Sequence, residues 1–70
     1  MIESEYVFLE RLLKQDKLTK ELKNKTIEFM NTNDYEGFIK KYNLDISSVK
    51  AFSTLKDKIA YLLVEEYLNL

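Results

Sequence analysis

LKDKIAYLLVEEYLNL, Leu55 to Leu70, reads as a helix that is apolar on almost every side, and that reading decides the fold. At about 100° per residue, Leu55, Ile59, Leu62, Leu63 and Leu70 make one stripe. Ala60, Tyr61, Val64, Tyr67 and Leu68 fill most of the rest of the wheel. Past the first turn only Lys58, Glu65 and Asn69 form a polar strip, with Glu66 an isolated charge inside the first stripe. An ordinary surface helix carries an apolar arc of little more than about 100°, so a helix apolar nearly all round is buried on several sides. In a short chain it is either the hub of a bundle or a surface that another molecule covers.

The rest of the chain is suited to packing around such a hub. Its 70 residues make one domain, 1–70, near the lower limit for an unstapled core. With no Cys and no His, disulfides and Cys/His zinc sites are excluded. The 46% apolar content, with five Tyr and four Phe, describes a folded chain. A net charge of −1 gives no global attraction to nucleic acid or anionic membranes. No apolar run reaches spanning length, and the acidic opening Met1–Glu5 lacks the basic region of a signal peptide, so the expected compartment is the cytoplasm. Ten Lys against the single Arg11, with five Asn, point to a low-GC coding genome.

With no Pro and one Gly, Gly37, the helices are punctuated by Asn, Asp, Ser and Thr. A first helix is expected over Glu3–Lys14, with Ile2, Tyr6, Leu9 and Leu13 aligned and Phe8 and Leu12 widening the face. Gln15–Lys17 connects it to a second, Lys20–Asn31, capped by Thr19 and buried through Leu22, Thr26, Phe29 and Met30, with Ile27 beside them. Asn33 and Glu36 have capping-box spacing and open a third helix, Asp34–Tyr42, stopped by a left-handed Asn43. Asp45 and Ser48 offer a cap for a fourth, Ile46–Ser53, with Ile46, Val49 and Phe52 inward. Thr54 with Asp57 is the clearest capping box and starts the last helix. The class is all-α: a compact bundle of four to five short helices around a buried C-terminal helix.

Enzyme chemistry has little to stand on. The commonest general base and thiol nucleophile are missing, and one Gly cannot build a phosphate loop. Glu65 and Glu66 point about 100° apart and do not converge on a substrate. Asp34 with Glu36, and Asp16 with Glu21, lack the stepped spacing of a calcium loop. The expectation is no enzyme, no cofactor and no metal. Asn24-Lys25-Thr26 matches a glycosylation sequon by chance.

Tyr35 to Thr54 resembles the helix-turn-helix motif, through Phe38, Tyr42, Asn43, Leu44, Val49 and Phe52. Ile39 departs from it, standing where the motif wants Ala or Gly. The resemblance implies a dimeric DNA-binding regulator with Ser47, Ser48 and Lys50 toward the groove and Lys40 and Lys41 on phosphates. Its second helix would also present Ala51 and Thr54, with no Arg, Gln or Asn for bidentate base contacts. Two short helices joined by a three-residue turn repeat the same apolar spacing as a merely structural corner.

Arg11 to Lys25 is a basic segment of six cations against Asp16 and Glu21. It is either a solvated face or a docking surface for an acidic partner or phosphates. The function expected first is a non-catalytic protein–protein interaction or regulatory module, of the size of a small phage or mobile-element protein that modulates a host component. Tyr61, Val64 and Leu68 would form its contact face, Lys17, Lys20 and Lys23 would steer an acidic protein partner, and the chain would pair as a homodimer with no membrane contact. DNA binding is the alternative.

Overall fold

A computed structural model describes residues 3–70, so Ile2 of the expected first face lies outside the described residues. The elements are α1 (Glu5–Lys14), α2 (Lys20–Asn31), α3 (Tyr35–Tyr42), a 3-10 turn (Ile46–Ser48) and α4 (Leu55–Leu68). No strand occurs among the described residues, and α1, α2, α3 and the 3-10 turn all pack against α4. The all-α bundle around the C-terminal helix is therefore the observed architecture.

Every α-helix starts on a short polar side chain that accepts a backbone N–H three residues on, satisfying one of the first-turn donors that no helical carbonyl can reach. Ser4 Oγ takes Val7 N (3.2 Å), Thr19 Oγ1 takes Leu22 N (3.3 Å) and Thr54 Oγ1 takes Asp57 N (3.2 Å). The third helix is capped by Asp34, which accepts from Gly37 N at 3.0 Å, and not by Asn33 as the capping-box spacing predicts. Gly37 makes room for that carboxylate, since a Cβ there would stand 2.2 Å from Asp34 Oδ2. The first helix likewise begins two residues late, because Ser4 is the cap.

Two helices stop in the same way. Asn43 adopts φ 51°, as expected, and Leu44 N reaches back to the Ile39 carbonyl (3.0 Å). Asp16 at φ 53° does the same after α1, with Lys17 N on the Leu12 carbonyl (3.1 Å). Both are left-handed caps that recover carbonyls orphaned in the last turn.

The expected fourth helix, Ile46–Ser53, is not formed. One 3-10 turn covers Ile46–Ser48 and the chain then extends through Val49 (φ −98°, ψ 106°). Side chains here compete with the helical ladder. Asp45 caps no backbone N–H; it accepts the Ser47 hydroxyl (2.8 Å), while the Ser48 hydroxyl bonds the Asp45 carbonyl (2.8 Å). Lys58 Nζ donates to the Val49 carbonyl at 2.8 Å, an acceptor that a continuing helix would need for itself. Phe52 is consequently half-buried and not a core residue.

The core is Leu9 and Leu12 of α1, Leu18 of the connector, Leu22 and Phe29 of α2, Phe38 of α3, and Ile59, Ala60 and Leu63 of α4. Phe29 is its aromatic centre, with Tyr6 at 5.8 Å, Phe38 at 5.8 Å and Tyr35 at 6.1 Å between ring centroids. Leu13 and Met30 are only half-buried, Ile27 is exposed, and Leu70 lies outside despite its place on the α4 stripe. Thr26 is fully buried, and its hydroxyl has no hydrogen-bond partner among the described residues. An unpaired buried hydroxyl costs about 1–3 kcal/mol. Thr26→Val keeps the branched shape and removes the hydroxyl, so it should stabilise the fold by roughly 1–2 kcal/mol. Urea denaturation checks it, and an unchanged or lowered midpoint would show that the hydroxyl is satisfied in solution.

Candidate interaction surface

The apolar circumference of α4 is covered unequally. Ile59, Ala60 and Leu63 are sealed at 0% exposure, whereas Leu68 on the far side is 67% exposed. Tyr61 and Val64, which share the outer arc with Leu68, are half-buried. Val64 packs partly against the core, and the Tyr61 ring meets Phe52 at 5.7 Å. Glu65, one turn beyond Tyr61, raises the phenol above its ordinary pKa of 10.0, through hydrogen bonding first and charge second, with burial and the more distant Glu5 adding to it. The three residues named from the sequence thus share one face, with Leu68 as its open part.

The basic segment behaves as several different things. Lys17 and Lys20 are exposed and carry no ion pair among the described residues. Lys23 is half-buried, 3.6 Å from Asp16. Arg11 pairs with Glu3 (2.6 Å) and lies over the Phe8 ring (5.5 Å). Lys25 is no solvated lysine: its side chain is 15% exposed, its Nζ is 2.8 Å from Glu66, and it sits 5.1 Å from the Tyr42 ring centre. That pair explains the charge inside the apolar stripe. It also places α2 against the Glu66 side of α4, roughly 160° round the wheel from Leu68. Lys25 and the outer arc of α4 therefore belong to different faces.

The residues that would read DNA are largely engaged elsewhere. The Ser47 and Ser48 hydroxyls turn back onto Asp45, and Lys41 Nζ grips both oxygens of Glu28 (3.0 and 2.9 Å). Lys40 and Lys50 are exposed.

One polar cluster has no counterpart in the sequence reading. Glu28 of α2 accepts from Lys41 and from the Tyr42 hydroxyl of α3, while Lys25, three residues back on α2, joins the same Tyr42 ring to Glu66 of α4. Glu28 to Lys41 and Tyr42 spans 13 and 14 residues of chain, so no helical period connects them. The Tyr42 hydrogen bond, followed by Lys41, holds the Glu28 carboxyl below its ordinary 4.5. The same contacts raise Tyr42 above 10.0 and Lys41 above 10.5, hydrogen bonding to Glu28 being the chief cause for both. The cluster ties three helices together.

Among the described residues there is no pocket and no group of three side chains able to hold a metal ion. Among the described residues no helix is long and apolar enough to cross a membrane. No protein-family model, curated protein or solved structure matches the chain.

The signs of these shifts fix a pH window. Because the folded pKa of Glu28 is depressed, its contribution is present above the unfolded value and lost as pH falls through the folded one. Tyr42 and Lys41 are raised, so theirs is present below the unfolded values and lost as pH rises through the folded ones. Glu28→Gln should lower stability at neutral pH and flatten the fall toward acid. Denaturation midpoints measured from pH 7 down to pH 3 test this, and parallel curves for the two proteins would remove Glu28 as a stabilising group.

Proposed function

We propose that the chain is a non-catalytic protein–protein interaction or regulatory module, acting in the cytoplasm, whose contact surface is the outer arc of α4 and whose partner there is a second copy of itself. The observation that carries this reading is the 67% exposure of Leu68 on a helix whose Ile59, Ala60 and Leu63 are fully buried on the opposite side. Large apolar side chains grouped on one helix face favour an interface. Tyr61 adds an apolar ring with a polar tip, the combination suited to a surface that is wet in one state and covered in another. Lys17, Lys20 and Lys23 are assigned to steering an acidic protein partner, a role that affects encounter rate more than affinity.

We do not extend the proposal to DNA. The segment expected as recognition helix forms a single 3-10 turn at Ile46–Ser48, and its two serines bond to Asp45, which gives that reading less support than the interaction module.

Leu68→Glu decides the matter. The site is 67% exposed, so the fold should tolerate the change within about 0.5 kcal/mol. Sedimentation equilibrium should find the wild type dimeric at micromolar concentration and the variant monomeric, with the same far-UV circular dichroism. A wild type that stays monomeric into the millimolar range rejects the second copy as partner.

A further inference from the structure

We propose that residues 49–54 act as a lid on α4, with Phe52 lying over Tyr61 and holding the contact face partly shut. The inference rests on the outer arc of α4 being that face. Lys58 and Tyr61 stand about 60° apart on the helix wheel. Lys58 Nζ holds the Val49 carbonyl at 2.8 Å, and the Phe52 ring lies 5.7 Å from the Tyr61 ring. The loop therefore runs from the Lys58 side of α4 back to its N-cap at Thr54, with Phe52 against Tyr61 on the arc that also carries Leu68.

Its attachment is uneven. Val49 is a firm anchor, 3% exposed, with its own N–H on the Ile46 carbonyl (3.0 Å). Beyond it, the amides of Lys50, Ala51, Phe52, Ser53 and Thr54 find no hydrogen-bond partner among the described residues. The half-buried Phe52 ring is what fastens the middle of the loop. A segment with few bonds and one apolar contact opens at low free energy while the rest of the fold stays intact.

A second copy would compete for the same place. Tyr61 and Leu68 lie at equal distances from the midpoint between Val64 and Glu65, so antiparallel pairing about a two-fold axis sets Tyr61 of each copy against Leu68 of the other. Phe52 occupies the position that the incoming Leu68 needs. Only molecules with the lid open then pair, and the apparent dissociation constant rises by the inverse of the open fraction.

The test compares wild type, Phe52→Ala, Lys58→Met and Leu68→Glu by sedimentation equilibrium, with circular dichroism to confirm the fold. Phe52→Ala should pair about tenfold more tightly than wild type, the gain for a lid open in one molecule in ten. Lys58→Met, which frees the Val49 carbonyl, should shift in the same direction, and it decides the outcome if Phe52→Ala fails to fold. Should wild type pair, Leu68→Glu not pair, and both lid variants match or fall below wild type, the lid is overturned and the contact face stands. If no protein associates at any concentration, the contact face fails and the lid with it.

Discussion

The seam of Ile59, Ala60 and Leu63 along one side of α4 is the constraint on which the remaining structure depends. These residues reach zero exposure because α1, α2 and α3 all converge there. Ala60 is as important as its larger neighbours, since a side chain of one methyl lets other helices come close to the axis. Inserting volume into a packed seam costs about 1–3 kcal/mol, and a small domain has only about 5–15 kcal/mol in total. Burying Ile59 and Leu63 contributes about 1.5–3 kcal/mol each. A chain without cysteine has no disulfide to staple it and draws on such contacts for stability, and every other helix turns its apolar stripe toward this one.

Around the seam, polar groups fix where helices begin and how they are oriented. The four N-caps are short side chains one residue outside each helix, and they act locally, whatever the tertiary arrangement. Lys25 and Glu28 act over longer distances. They lie on one side of α2 at i and i+3 and reach Glu66 of α4 and Lys41 and Tyr42 of α3. Surface ion pairs individually contribute about 0–1 kcal/mol. Lys25, with most of its side chain covered, is better placed than the others, because its partner charge and the Tyr42 ring are met with less water between them.

The contrast between local and distant determinants explains what could be read from the chain alone. Thr19, Thr54 and Asn43 announce helix ends through their own backbone preferences, and the structure places all three as expected. The nearly all-round apolar pattern of α4 likewise identified the hub. Ile46–Ser53 failed because its periodicity was right and its local chemistry was not. Apolar spacing of three fits a helix, yet Ile46, Val49 and Phe52 can also lean on a neighbouring helix from an irregular segment. Two serines, an aspartate and a distant lysine decided for the irregular form. Asp16 could have been recognised, since Asp tolerates the left-handed region better than most residues. Leu18 could not, because its burial depends on the path that this turn gives the connector. The Glu28 cluster was invisible for the same reason: it exists only once α2 and α3 have both been brought against α4.

The missing fourth helix bears directly on the proposed function. A helix over residues 46–53 would lay a rigid apolar stripe along α4 and close more of its circumference. A loop anchored at Val49 covers less, leaves Tyr61 under a single ring, and leaves Leu68 open. Regular structure at this position would add buried area and remove the surface that a second copy is proposed to use. Asp45, Ser47 and Ser48 bond among themselves and draw the backbone out of the helical ladder, so that a loop and not a helix leads from Val49 to the cap of α4.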